Sequence, residues 1–329
     1  MKSVRTLIAV MICLLPAVPG SSRVRYICPG PLKEGDRIAV VSPAYWLADS
    51  TVLQACSVLC EWGYEPVLCP NVGKMDGDPN SGTEHYAGTV SERLADLRYA
   101  LVSDDIKAII CTRGGYGAIH LLDGIPKSML RRHPKWLVGY SDITILHAMS
   151  IRSGVMSVHG DMCSAIAATR GECWPETMLR EVLAGKPVSY DIPPHPLNVY
   201  GSTEGVMVGG NLATMVSLSG TEYDFLRGRD LILFIEDVGE SMHSIDRMFN
   251  MLMLQKGFAN VRAIVFGEFT GCRRDLPYES VEHMLSEYTS RLGIPVCYGF
   301  PSGHGEVNLP FVEGRQVRLE VDPQGARIW

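Results

Sequence analysis

No block of basic residues interrupts this sequence. The 329-residue chain carries a formal net charge of −6, which makes nucleic acid a poor partner. The apolar run from Leu7 to Leu15 falls well short of the roughly 20 residues that a membrane helix needs. There is no His-Glu-x-x-His sequence and no paired Cys-x-x-Cys, so no short zinc signature is present. No internal repeat or low-complexity tract occurs, which excludes solenoids and fibrous arrays. No acidic residue precedes Glu34, so the N-terminus differs in kind from the remainder.

That N-terminus has the order of a secretory signal. Lys2 and Arg5 precede the apolar run, and Pro16 to Gly20 then offers small residues before a cleavage point. Residues 1–20 are therefore expected to direct export, to the periplasm. The competing reading is an upstream extension on a cytoplasmic protein. Ten cysteines are present, but Cys56, Cys60, Cys69, Cys111, Cys163 and Cys297 lie in or beside apolar segments. They read as small buried hydrophobes rather than as a disulfide framework.

From about residue 35 to 165, strands and helices alternate. Arg37–Ser42, Glu65–Cys69 and Lys107–Thr112 read as short apolar strands. Between them, Leu94, Leu97 and Leu101 line one face of a helix. Such alternation predicts a parallel sheet covered by helices. Residues 169–200 are looser and end in Asp191-Ile-Pro-Pro-His-Pro196, where three prolines oppose regular structure. This stretch is read as a connection between a domain over 31–168 and a second over 201–329. The second is richer in strands and ends in a hairpin around Pro323-Gln-Gly325.

Four features could carry chemistry. In Leu137-Val-Gly-Tyr-Ser-Asp-Ile-Thr-Ile-Leu-His147 a buried strand turns into a helix at Ser141. That places Ser141 at the edge of a sheet, as a helix cap or as a nucleophile. It also aims the Asp142 amide outward, since early helix N–H groups are unpaired. Arg113-Gly-Gly-Tyr-Gly117 follows another strand, and its glycines allow close backbone approach, either as a plain turn or as an oxyanion donor. Phe234-Ile-Glu-Asp-Val-Gly-Glu240 puts Glu236 and Asp237 after an apolar strand, with helix capping as the ordinary role of Asp237 and Glu240. Gly303-His-Gly305 holds a histidine with little steric cover. The chain order Ser141, Glu236, His304 is the serine–acid–histidine order of α/β hydrolases. His147 reads as packed and hydrogen-bonded. His159 either lines the same cleft or ends a strand.

Together with Ile38-Ala-Val-Val-Ser-Pro43 and Gly209-Gly-Asn-Leu212, these motifs resemble the LD-carboxypeptidase family of serine peptidases, which also contains microcin-immunity peptidases. The resemblance runs from about Pro31 to the C-terminus. It implies an α/β protein, with a flavodoxin-like parallel-sheet N-terminal domain and a smaller β-rich α/β C-terminal domain. A homodimer is commonly implied, with no metal and no cofactor. The family's nucleophile falls on Ser141, its acid on Glu236 and its base on His304. Its oxyanion hole falls on the amides of Asp142 and of Gly114 or Gly115. Arg113, Tyr116, Asn211 and Glu240 are the candidates for binding substrate. The implied reaction releases the terminal D-alanine of murein tetrapeptide at an L–D amide bond. Two alternatives remain at this point: a microcin-type peptidase acting on peptidyl or acyl adenylate analogues, and an exported ligand-binding protein without chemistry.

Overall fold

The computed structural model describes residues 26–78 and 80–329, so the proposed signal over residues 1–20 lies outside the described residues. The strands, in chain order, are β1 (Arg37–Val41), β2 (Glu65–Leu68), β3 (Ile106–Cys111), β4 (Trp136–Gly139), β5 (Ser157–His159), β6 (Tyr190–Ile192), β7 (Gly201–Asn211), β8 (Leu231–Val238), β9 (Val261–Thr270), β10 (Val296–Cys297), β11 (Phe311–Glu313), β12 (Gln316–Asp322) and β13 (Gly325–Ile328). The helices are α1 (Asp49–Glu61), α2 (Val90–Val102), α3 (Lys127–Arg132), α4 (Thr144–Ser153), α5 (Cys163–Thr169), α6 (Trp174–Leu183), α7 (Leu212–Ser217), α8 (Met242–Leu254) and α9 (Val281–Thr289). Among the described residues no helix is long and apolar enough to cross a membrane.

The first sheet runs β11-β5-β4-β3-β1-β2. Its β1 to β5 are parallel, in the flavodoxin-like order 2-1-3-4-5. The apolar runs of β1, β3 and β4 are buried on both faces, as a helix-covered parallel sheet requires. Helix α2 begins at a reciprocal cap: the Thr89 side chain accepts from the Glu92 amide, and the Glu92 carboxylate accepts from the Thr89 amide. The second sheet runs β10-β9-β8-β7-β12-β13-β6, parallel over β7 to β10 and antiparallel from β12 to β6. The α/β class and the strand-rich second half agree with the sequence.

The two halves are more interwoven than a simple connection implies. β11, from the C-terminal half, pairs antiparallel with β5 and closes the edge of the first sheet. The proline stretch also contains regular structure: β6 forms against β13 and stops at Pro193. Proline fixes φ and has no N–H, so it ends that edge strand without forbidding it. Cys60 is exposed, unlike its buried neighbour Cys56, because it lies on the solvent side of α1.

Helix α4 departs furthest from its sequence pattern. Ile143, Leu146 and Ile151 predict a single apolar face, yet every residue from Thr144 to Ile151 is buried. The second half covers its other side: Thr144 Oγ1 accepts from the Asn211 amide at the end of β7 (3.2 Å). A β-carbon at Gly210 would stand 2.4 Å from that same oxygen, so glycine is what lets β7 approach.

Candidate active site

Ser141 follows β4 and opens a short turn before α4. Its φ is +65°, the left-handed region that costs a non-glycine residue on the order of 1–2 kcal/mol. Ser141 does not take the capping role expected as its ordinary one, because the cap positions of the turn and of α4 fall on Tyr140 and Ile143, and neither makes a side-chain cap bond. The reversal after Tyr140 therefore leaves the half-buried hydroxyl of Ser141 without a hydrogen-bond partner among the described residues, at the C-terminal end of the sheet. Open α/β sheets place ligands beyond this end of their strands.

The glycine turn after β3 lies directly against this serine. A β-carbon at Gly114 would stand 2.8 Å from Ser141 Cβ and 2.9 Å from its Oγ. Gly115, at φ +115°, leaves room for the Tyr45 ring, which a β-carbon there would strike at 2.2 Å. Two side chains pin the turn. Asp142 accepts from the Ala118 amide (2.8 Å), and Arg93 donates to the carbonyls of Pro43 (2.7 Å) and Gly117 (2.9 Å). Burial pushes the Asp142 carboxyl up to about 6, against the Ala118 hydrogen bond and the Arg93 charge. The sequence points to Asp142 for its amide. The structure also uses its carboxylate.

Glu236 and Asp237 lie within β8, not beyond its end. Strand alternation sends them to opposite faces. Glu236 is fully buried, and His304, at 17% side-chain exposure, holds its Oε2 through Nδ1 at 2.7 Å. The other oxygen, Oε1, has no partner among the described residues. Gly303, at φ +130°, passes close enough that a β-carbon would stand 3.0 Å from Glu236 Oε2. The His304 ring packs 5.1 Å from the ring of Tyr140, which precedes Ser141. Through Tyr140, the loop that carries His304 thus comes up to the residue before Ser141, against which the glycine turn already lies. The capping role expected for Asp237 and Glu240 on the next helix falls to Ser241. Asp237 serves an earlier one, accepting from Ala213 N (3.1 Å) in α7 and from Asn211 Nδ2 (2.9 Å).

The family models for the LD-carboxypeptidase N-terminal domain and C-terminal domain match residues 38–160 and 204–319. This chain belongs to the LD-carboxypeptidase family. It is a serine-type LD-carboxypeptidase, a hydrolase, and the reading as a receptor without chemistry falls. The murein tetrapeptide carboxypeptidase of Pseudomonas aeruginosa is 31% identical, over 86% of this chain and 93% of that protein. The microcin C7 self-immunity protein MccF of Escherichia coli is 29% identical over 91% of this chain and 94% of its own. Among solved structures, the muramoyltetrapeptide carboxypeptidase from Oxalobacter formigenes superposes with a TM-score of 0.77 at 26% identity, covering 89% of this chain and 97% of that one.

In this LD-carboxypeptidase the other residues singled out in the sequence have mixed fates. Arg113 sits at the rim, 3.3 Å from Glu84 and over the Tyr45 ring. Tyr116 is exposed and packs edge-on against His120. Asn211 caps α7 through Oδ1 and gives its amide to Asp237, so its side chain is already engaged. Glu240 is half-buried, and its carbonyl takes the Arg273 N–H. His147 is packed as expected, bonded to the Gly139 carbonyl (2.8 Å) and Ser157 Oγ (2.9 Å), and burial holds its pKa down to about 4.

His159 is fully buried, stacked on Phe311 and 3.3 Å from Asn308 Oδ1. Sequence reasoning missed Asn308 and Asp161, since single polar residues in loops carry no periodic signal, and it missed Arg93, which lies in α2 as a charged residue buried against the glycine turn. Among the described residues, Asp161, Cys173 and Glu176 bring two carboxylates and a thiol within 4.8 Å of one another. Their polar atoms are taken up locally: Cys173 bonds Glu176, Thr169 bonds Glu176 (2.6 Å), and Asn308 bonds Asp161 (2.8 Å).

Proposed function

We propose that this LD-carboxypeptidase releases the terminal D-alanine of murein tetrapeptide by acyl transfer through Ser141. The observation that carries this reading is the 2.7 Å bond between His304 and a fully buried Glu236, set beside the strained turn of Ser141. A carboxylate accepts the Nδ1 proton and leaves Nε2 as the basic nitrogen. Nε2 takes the Ser141 proton as Oγ attacks the carbonyl of the L–D amide. The oxyanion faces the amides of Asp142 and the Gly114–Gly115 turn. The imidazolium, stabilised by Glu236, returns the proton to the D-alanine amine as the C–N bond breaks. Water then attacks the acyl-enzyme with His304 again as base. Arg113 is half-buried at the rim, and its Glu84 partner is exposed, so a terminal carboxylate competes for that guanidinium.

The test is D-alanine release from purified murein tetrapeptide. We expect Ser141→Ala to lower it at least about 1000-fold. Equal release by both proteins would remove Ser141 from the chemistry. The similarity to MccF supports a second reading, in which the same residues act on a peptidyl or acyl adenylate analogue. Cleavage of such an analogue at a higher kcat/KM than tetrapeptide would favour it. The signal-like residues 1–20 support a reaction outside the cytoplasm, and the resemblance supports a homodimer. A full-length chain confined to the cytoplasmic fraction argues against export, and a monomeric mass by light scattering argues against the dimer.

A further inference from the structure

The loop that carries His304 is held by a residue from outside its tip. Asn308 is buried between His304 and β11. Its Oδ1 accepts from the Gly303 amide (3.0 Å), the residue immediately before His304. The Ser302 hydroxyl lies 3.1 Å from the same oxygen, and His159 Nε2 lies 3.3 Å away. Its Nδ2 donates to Asp161 Oδ1 (2.8 Å). The orientation of this amide is dictated by chemistry. A backbone N–H can only donate, so the oxygen must face Gly303, and the nitrogen is left for the carboxyl oxygen of Asp161.

The two sides of this clamp belong to different sheets. Asp161 and His159 stand at the end of β5 in the first sheet, where His159 is the register partner of Gly139. Gly139 is two residues before Ser141. Gly303, on the other side, lies against Glu236 of the second sheet. A continuous set of short contacts therefore runs from the strand before Ser141, through His159 and Asn308, to the residue before His304.

We propose that Asn308 is a positioning residue for the hydrolytic reaction: clamped by Asp161, its side-chain amide fixes the Gly303 amide and thereby holds the His304 ring in register with Ser141. This rests on the reading of Ser141, Glu236 and His304 given above. A β-strand end alone leaves a Gly-His-Gly loop free to shift. A displacement of about 1 Å at a proton-transfer group can cost on the order of 100-fold in rate.

The experiment uses the full chain and murein tetrapeptide, with rates corrected to the folded fraction from urea unfolding. Asn308→Ala is expected to lower kcat about 10- to 100-fold while KM stays within about twofold. Asn308→Asp alone sets one carboxyl oxygen against another once the pair no longer shares a proton, and at pH 9 is expected to be similarly slow. Asn308→Asp combined with Asp161→Asn exchanges donor and acceptor, and should return kcat to within about threefold of the wild type. A full kcat in Asn308→Ala, or a double variant as slow as Asn308→Asp, overturns the proposal. Ser141→Ala measured alongside separates the two readings. If it is inactive while Asn308→Ala runs at full rate, only the positioning role fails. If Ser141→Ala is fully active, the nucleophile fails instead. A substrate-free readout covers the case of an untested peptide. The downfield proton resonance of the His304–Glu236 bond should be lost or shifted in Asn308→Ala and restored in the double variant. An unchanged resonance in Asn308→Ala counts against the clamp.

Discussion

At Ser141 the backbone itself carries information. A serine at φ +65° gives up stability that a glycine there would keep. Ser141→Gly is therefore expected to unfold at higher urea concentration than Ser141→Ala, by about 1 kcal/mol, although both lack the hydroxyl. Equal midpoints would mean that the turn is not strained. Gly114 is the matching feature on the other strand end. A methyl group at Gly114 would have to displace Ser141, since its β-carbon would stand 2.9 Å from Oγ. Gly114→Ala should cost about 1–3 kcal/mol of stability and reduce D-alanine release at least about tenfold. The glycine turn was legible as a turn. Its closeness to Ser141 was implied only by the family resemblance, because residues 114 and 141 meet only when β3 and β4 pair.

At the level of elements, β8 does two jobs with adjacent residues. Glu236 faces the His304 loop, while Asp237 ties β8 to the start of α7. Loss of the Asp237 carboxyl orphans the Asn211 amide and the Ala213 N–H in a buried setting. Asp237→Ala should destabilise the protein by about 2–3 kcal/mol, measured by urea unfolding. A change below about half a kcal/mol would show that α7 holds without it. The pair of acids was legible, with Glu236 as the partner of His304 by resemblance and Asp237 as a cap, but not that Asp237 serves the earlier helix α7. A single strand has two faces, and only its neighbours decide what each face meets. Helix α4 makes the same point. Its sequence has one apolar stripe, and the second sheet covers the rest.

For the whole molecule, the interleaving of the sheets buries several acids. Burial pushes Asp142 and Asp237 up to about 6 and Asp161 up to about 7. Glu313, fully buried on β11 and accepting from Gly209 N of β7, is pushed well above the usual carboxylate range. Each group binds its proton more tightly folded than unfolded, where carboxyls titrate near 4. For Asp142, Asp237 and Asp161 the contribution is complete below pH 4 and is lost as pH rises through about 6 to 7. Asp161 faces Glu176, Cys173 and Asn308, and the Glu176 charge adds to the effect of burial. Asp161→Asn keeps an acceptor for Asn308 but has no proton to lose. Between pH 5 and 8 it should lose about 2–3 kcal/mol less stability than the wild type. Parallel unfolding curves for the two proteins would show that Asp161 does not carry the linkage.

The sequence alone determined the alternation of strand and helix, the glycine turn, and the identities of Ser141, Glu236 and His304 as the residues to watch. These are local signals: period, punctuation by glycine and proline, and motif order along the chain. Only the tertiary structure decided that β11 completes the first sheet, that Ser141 is strained rather than capping, and that Asn308 and Asp161 brace the histidine loop. Asn308 and Asp161 lie 147 positions apart. No local pattern encodes such a contact, because it forms only when the two sheets are packed together and their buried polar groups must find partners.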